Sequence, residues 1–537
     1  MPEYDVLVIG GGAAGLRAAI AAKRAGASVA LLSKVHPLRT NSALSPGGIN
    51  APLGSDDSAQ RFADDIMNAG DGLCNSEAVN ALAAEAAREV VWLERVGVPF
   101  NRDADGRIDR RPLGSGSVER AAYADDRTGH MVLHVLHEQF QRYDIPCFKE
   151  WFVTSLVQDA GACTGAVALD HRSGRIESFS AGAVILATGG FIQAYRPCTA
   201  AVGTTGDGLA LGYDMGVGLA DMEMVQFHPT VYSATRTALI SEAALSAGAL
   251  LVNAAGDTVV DAAGLSRAQL AAAVDKAGRN GGGPVSLDLR PVENLTSRFP
   301  GAAEVVRLMA GLDITQVPVP VQPVAHRAMG GLDANASGET SVAGLFAVGE
   351  CAHSGVHGAG RMPGNTLTEA VVFGKRVGEA AAAHAKSAGA RSASTDQAAR
   401  DGGRLAEITS GGSSGDTMGT IHRELGEVMH ANLGVTRSVA GLTEAQEKIR
   451  TLRERHGKLR IGNKSRIFNY ALTNYIELGN MLKLAEAAAL AARGRSESRG
   501  AHLRSDFPER DDTSWKAHTV VHQQDGAPKL DRKAVSA

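Results

Sequence analysis

Apolar residues along this chain follow two rhythms. Short unbroken apolar runs mark buried strands, and longer stretches with Ala and Leu at helical spacing mark helices. The opening stretch, Tyr4–Lys34, shows both. Val6–Ile9 and Ser28–Leu32 read as buried parallel strands, and Ala13–Ala25, closed by Gly26, reads as an Ala-rich helix. Between the first strand and the helix, Gly10, Gly12 and Gly15 stand in G-x-G-x-x-G spacing. In a strand–turn–helix–strand setting this spacing predicts a dinucleotide site. Gly10 permits the tight turn, Gly12 lets the backbone approach a pyrophosphate, and Gly15 lets helix and strand pack closely. The helix N-terminus offers its N–H groups and positive dipole end to the phosphates.

The same rhythms predict helices over Asp56–Gly97 and Gly129–Tyr143, an irregular basic stretch over Asn101–Asp126, and two strands in Pro146–Ala168. Ala183–Thr188 is a further buried strand ending in Gly189-Gly190, and Thr205–Gly216 opens a second glycine turn and helix. Between about Pro229 and Val319 strand pieces and helices alternate around a glycine loop at Gly281–Gly283, which predicts an inserted domain. Gly344–Val348 returns to the buried-strand pattern, with a helix over Asn365–Ala383. Gly402–Gly415, with its GGSSG, reads as a linker. Met418–Arg493 is strongly helical, and the last residues, Asp525–Ala537, read as loosely ordered.

At 537 residues the chain exceeds one hydrophobic core, and roughly two or three domains are expected. The formal net charge of −4 gives no sign of nucleic-acid binding. Five cysteines are scattered without a C-x-x-C pair, which argues against a disulfide framework, a zinc site or an iron–sulfur cluster in this chain; no metal site is expected. Met1–Glu3 leads directly into the first strand and no apolar run is long enough to span a bilayer. A cytoplasmic protein is expected, peripheral on a membrane only through partners.

A series of motifs resembles the succinate dehydrogenase/fumarate reductase flavoprotein family, which includes L-aspartate oxidase. They are the first unit with its SKV loop, Ala187–Gly190 (ATGG), Thr205–Gly208 (TGDG), Asp126–Leu136, Asp221–Thr230 (DMEMVQFHPT), Pro323–Gly331 (PVAHRAMGG), Gly344–Glu350, His357–Leu367 (HGAGRMPGNTL) and Glu497–Asp512. They cover almost the whole chain. The resemblance implies FAD as the dinucleotide and an α/β fold: a Rossmann-like FAD-binding domain (1–232 and 323–400) split by an α+β capping domain (233–322), then a helical domain (416–510) and an extended tail (511–537). It implies hydride transfer between flavin N5 and a C4 dicarboxylate. Electrons would pass to an iron–sulfur partner, and through it to a membrane anchor or quinone.

Matched residue by residue, the family pattern implies FAD contacts at Gly10, Gly11, Gly12, Ala13, Ala14 and Gly15, at Ser33 and Lys34, and at Asn41, Ser42, Gly47 and Gly48 in the following loop. Further contacts are implied at Val153, Ala187, Thr188, Gly189, Asp207, Glu350, Arg361, Thr366 and Leu367. For the substrate it implies Arg361, His326, His228 and Ser241, with Glu242 beside them. A small dianion needs such fixed cations and donors at both carboxylates. Arg267 matches the proton-transferring arginine. With a pKa above about 12, it can deliver a proton only through a relay, for which Glu242 is the natural neighbour.

Four departures from the family pattern stand out. Asn41 occupies the place of the histidine that bonds covalently to flavin, so non-covalent FAD is expected. Leu245 stands where an arginine completes the proton relay. The segment between Asn253 and Arg267 is short. Arg327 stands where an aromatic is common; it either adds a cation for a larger or more acidic substrate or faces solvent. Two alternatives stay open on this reading: a stand-alone L-aspartate oxidase-like or other dicarboxylate flavin oxidoreductase, and a catalytically weak flavin-containing scaffold.

Overall fold

The computed structural model describes residues 2–234, 236–279, 283–388, 396–410 and 415–535. Its central sheet runs in the order Cys147–Lys149, Val29–Ser33, Glu3–Ile9, Ile176–Leu186, Ala162–Asp170, Trp151–Asp159, with Leu345–Ala347 also paired to Ile176–Leu186. The strands around Glu3–Ile9 are parallel, with Val6 opposite Val29 and Val8 opposite Ile185. They are buried on both faces, which is why they read as unbroken apolar runs. Pro146–Ala168 holds parts of three strands rather than two. The longer pair forms an antiparallel hairpin that continues into Ile176–Leu186.

Helices Ala13–Arg24 and Asn365–Ala388 pack together on one face of this sheet. They approach closely because Gly374 carries no side chain; a Cβ there would sit 2.9 Å from the Ala14 carbonyl oxygen.

A second sheet orders Ala352–His353, Gly331–Asp333, Leu219–Ala220, Ala517–Gln524 and Ala527–Ala534. The last two strands correct the expectation of a loose tail. Ala517–Gln524 and Ala527–Ala534 pair along their full length, and the first pairs with Leu219–Ala220. Val521 is fully buried there, and burying it fixes the register.

The inserted lobe holds the sheet Thr258–Val260, Leu250–Val252, Ser286–Asp288, Val319–Pro320 and the helices Arg267–Arg279 and Pro300–Ala310. Its apolar residues, among them Ile240, Leu251, Leu287 and Val306, form a core of their own that takes in Leu113 from below. The chain leaves for the lobe along Val225–Tyr232 and returns along Gln322–Ala328, and these two strands pair antiparallel. Gly281 and Gly282 of the expected glycine loop lie outside the described residues.

The helices Met418–Asn432, Val439–Gly457 and Tyr470–Gly494 pack into a bundle against the second side of the central sheet. The linker expected from Gly402 begins later. Asp396–Thr409 is a helix, held to the sheet by buried Leu405 and by Asp401, which accepts from Ser155 Oγ at 2.9 Å. Residues 411–414 of that expected linker lie outside the described residues. Among the described residues no helix is long and apolar enough to cross a membrane.

Candidate active site

Two adjoining cavities lie where the carboxyl ends of the parallel strands meet the lobe. The larger begins at the glycine turn and is lined by Gly10, Gly11, Gly12, Ala13 and Ala14, by Ser33 and Lys34, and by Asn41 and Ser42. Of the expected set, Val153, Ala187, Thr188, Gly189, Asp207, Glu350, Thr366 and Leu367 also lie on its walls. Gly10 has φ +115°, and a Cβ there would strike the Ala187 carbonyl oxygen, so the turn closes only with glycine. Gly12, the helix N-cap, places no side chain over the helix end, so a phosphate can approach it. Gly15 is not on the wall: it sits beneath the turn, pressed on the Gly10 carbonyl.

Two polar groups expected at the dinucleotide are already engaged. Lys34 Nζ donates to Asp207 at 2.5 Å and to Glu477 at 2.7 Å. Burial acts to lower the lysine's pKa, but the two carboxylates outweigh it and raise the pKa above its ordinary value. Asp207 also accepts from Asn480 at 3.0 Å. Glu477 and Asn480 come from the helical bundle, which is thereby tied to the cavity wall. Nothing in the local sequence marks Glu477, because its partner is 443 positions away.

The smaller cavity is lined by Gly47, Gly48, His228, Ser241, Glu242, Arg267, His326 and Arg361, with Leu113 and Leu239. Gly47, Gly48 and Arg361, expected on the cofactor, are placed here and not on the larger cavity's wall. The loop turns through Gly48 at φ +136° and carries the two glycines past the dinucleotide crevice, while Arg361 comes from the separate segment before Asn365–Ala388. His228 and His326 stand on the two paired hinge strands, their ring centroids 5.0 Å apart. Arg267 opens a helix of the lobe and Glu242 precedes a short one. Arg267 Nε lies 2.9 Å from both Glu242 oxygens and its second terminal nitrogen 2.5 Å from one.

Gln226, which the sequence reading passed over, joins the two arginines. Its Oε1 accepts from Arg267 at 2.9 Å and from Arg361 at 3.0 Å. Its position two residues before His228 in the same motif was the available signal. Thr199 contacts His326 Nδ1 at 2.7 Å.

The electrostatics are those of an anion site. Burial, with Arg267 and Arg361 nearby, pushes His228 down to about 3, and burial with the same cations and His228 holds His326 well below its ordinary value. Both imidazoles are neutral at pH 7. Burial, then repulsion from Arg267 and Arg327, pushes the Arg361 guanidinium well below its usual range. For Glu242, burial is outweighed by Arg267, and its pKa falls below the ordinary carboxylate value. Arg267 is paired with Glu242 and Arg327 with Glu350, so a dianion entering this cavity meets Arg361 as the cation without a carboxylate partner among the described residues.

Leu245 is half-buried against the lobe's apolar core. Arg327 does not face solvent. It is 5% exposed, pairs with Glu350 at 2.7 Å and donates to Ser45 at 3.2 Å.

A further cluster lies apart from both cavities. The Asp221 carboxylate meets His353 at 3.0 Å and His518 at 2.6 Å through one oxygen, and accepts from the Thr519 N–H at 3.0 Å through the other. Arg495 lies 3.5 Å away. Both carboxylate oxygens have protein partners, and the cluster acts as a clamp that holds the C-terminal hairpin to its neighbours within the second sheet.

Comparison with known proteins gives this architecture a family. The FAD binding domain family matches residues 5–367, and the fumarate reductase flavoprotein C-terminal family matches residues 422–537. The fumarate reductase flavoprotein subunit of Mycobacterium tuberculosis is 39% identical, over 97% of this chain and 95% of its own. The succinate dehydrogenase flavoprotein subunit of Rickettsia bellii is 34% identical, over 99% and 95%. A quinol fumarate reductase structure from E. coli superposes with a TM-score of 0.96 at 34% identity, over 100% of this chain and 98% of that one. The chain belongs to the family of FAD-binding flavoprotein subunits of fumarate reductase and succinate dehydrogenase. It is an FAD-dependent oxidoreductase subunit, and FAD fits the larger cavity: a bare helix end for the pyrophosphate, and a far end that opens on the anion site.

Proposed function

We propose that the protein interconverts fumarate and succinate in the smaller cavity. The observation that carries this is the shared wall of the two cavities: Ser45, Arg327, Thr366 and Leu367 line both. A dicarboxylate in the smaller one therefore lies directly against the reactive end of the larger. FAD supplies hydride donation and acceptance when bound.

The protein's own groups do the rest. Arg361 offers its fork to one carboxylate. Its Nε is buried without a partner among the described residues, an unsatisfied donor that a carboxylate oxygen would complete. Neutral His228 and His326 hydrogen-bond the other end. Arg267 gives or takes the proton at the carbon opposite the hydride; ionised Glu242, bound to it bidentately, orients it, and with Leu245 in the relay position the proton that recharges it is delivered by water. Lobe closure excludes water and brings Arg267 against the hinge-strand histidines. Positioning and electrostatics supply most of the rate.

Asn41 carries an amide at the place of covalent attachment, and the flavin is held non-covalently. We infer an iron–sulfur protein as the partner: the five cysteines of this chain are free and dispersed, so a cluster that takes electrons from the flavin would sit in another subunit. Membrane association would come through that partner.

The deciding experiment is anaerobic stopped-flow of the FAD-loaded protein, reduced with dithionite and mixed with fumarate. Reoxidation of the flavin absorbance by fumarate is expected. Oxidation by iminosuccinate, with no response to fumarate, would replace this reading with aspartate oxidation.

A further inference from the structure

Arg327 is the charged side chain common to the walls of both cavities. The other charges of the larger cavity, Lys34, Arg39, Asp207 and Glu350, do not reach the smaller. Those of the smaller, Arg267, Glu242 and Arg361, do not reach the larger. If hydride passes between the cavities, the flavin ring must end at their junction, and Arg327 stands there.

Its surroundings hold it in place. Glu350 Oε2 accepts from Arg327 at 2.7 Å, and Glu350 Oε1 accepts the Ala328 N–H at 3.1 Å, so both carboxylate oxygens are used. A second guanidinium nitrogen donates to Ser45 Oγ at 3.2 Å. The remaining Nε–H is buried and has no acceptor among the described residues. Glu350 is on the wall of the larger cavity and absent from that of the smaller. The ion pair is therefore a fixed dipole with its positive end at the junction.

Uptake of a hydride adds two electrons and one proton, so the flavin ring gains one negative charge. A guanidinium beside it stabilises that charge more than water would, because Arg327 is buried and its fixed partners spare it reorganisation. We propose that Arg327 is a potential-setting cation: it raises the two-electron reduction potential of the bound flavin, and Glu350 holds it at the junction and moderates its effect. This rests on the site reading above.

The test is equilibrium reduction of the FAD-loaded full-length protein against a redox dye, with no dicarboxylate present. Sulfite binding to the oxidised flavin is measured in parallel as an independent reading of electrophilicity. Arg327→Gln is expected to lower the reduction equilibrium constant at least tenfold, about 30 mV for a two-electron couple, and to weaken sulfite binding in step. Arg327→Lys, which keeps the charge, is expected to retain most of the potential. Glu350→Gln, which frees the cation, is expected to shift it upward.

An Arg327→Gln potential within twofold of wild type in equilibrium constant would overturn the proposal, even if the KM for fumarate rose, since that pattern marks a substrate contact only. Equal shifts in the Gln and Lys variants would also overturn it, since charge would not be the cause. If Arg327→Gln does not retain FAD, the Lys and Glu350→Gln variants decide, and no upward shift in the latter counts against it. The reading is made without substrate, so failure of fumarate turnover leaves it standing or falling separately.

Discussion

Arg267 grips the Glu242 carboxylate with two nitrogens, at 2.9 and 2.5 Å, both side chains buried. Neither can be removed without leaving the other as an isolated buried charge. Arg267→Ala is expected to cut fumarate turnover by about 10²–10⁴-fold, the usual worth of a placed acid, while FAD absorbance is retained. Arg267→Lys should fail almost as badly, because an ammonium cannot reproduce the two-nitrogen grip. Single-turnover kinetics check both, and near-normal rates in either variant would remove Arg267 from the proton step.

Non-covalent flavin has a direct readout. Asn41 Oδ1 accepts the Ala201 N–H at 2.9 Å and holds the loop over the larger cavity. Acid precipitation should leave a colourless pellet and a yellow supernatant. A pellet that stays yellow after washing would mean that another residue bonds the ring.

The active-site histidines should be silent in the pH profile. Burial holds His228 at about 3 and His326 well below 6.5, so neither gains a proton as pH falls from 9 through 6.5. The profile of kcat/KM reports groups of the free enzyme. No break attributable to these imidazoles is expected in that range. An acid limb with a midpoint near 6.5 that disappears in His228→Gln or His326→Gln would contradict this.

The clamp at Asp221 predicts a bell in stability. Burial acts to raise the Asp221 pKa, but His518 and His353 outweigh it and hold it well below 3.8, so its stabilisation is present above 3.8 and lost as pH falls through the lower folded value. For His353, burial is outweighed by the hydrogen bond to Asp221, and its pKa is raised above 6.5; its stabilisation is full below 6.5 and lost as pH rises through the raised value. Arg495, Asp333 and Lys533 also face these groups. The Tm difference between wild type and His353→Gln should therefore be greatest between pH 3.8 and 6.5 and shrink on either side. A difference that does not vary with pH would show that the ring acts by packing alone.

Gly15→Ala should release FAD. A Cβ at this position would collide with the Gly10 carbonyl, forcing the helix off the strand at a cost of about 1–3 kcal/mol. Fluorescence of free flavin in the filtrate measures it; full retention would mean that the helix can shift without opening the crevice.

The first unit and the motif residues were readable because their signals are local: Gly10–Gly15 needs only its flanking strand and helix, and His228 and Arg361 sit inside contiguous motifs. The links that complete the site were not readable, because they join segments distant along the chain. Glu477 meets Lys34 across 443 positions, and His518 meets Asp221 across 297. Periodicity cannot say which distant loops converge. The C-terminal hairpin was missed for a related reason: its second strand is largely exposed and polar, so only pairing with a buried neighbour makes it a strand. Arg327 was visible as a departure, but its direction was not; burial beside Glu350 decided that.

The strands that leave and re-enter the lobe are antiparallel neighbours, with Val231 opposite Gln322. Topologically the lobe is a long insertion at the tip of a hairpin, and a hairpin can be closed by a turn of about two to five residues. Replacing 233–321 by such a turn, with Leu113 made polar, would leave the dinucleotide crevice, His228, His326 and Arg361 on one continuous scaffold. Arg267 and Glu242 would depart together as a cassette. The same two splice points would accept foreign lobes, so proton chemistry could be exchanged by recombination while the flavin holder stays constant.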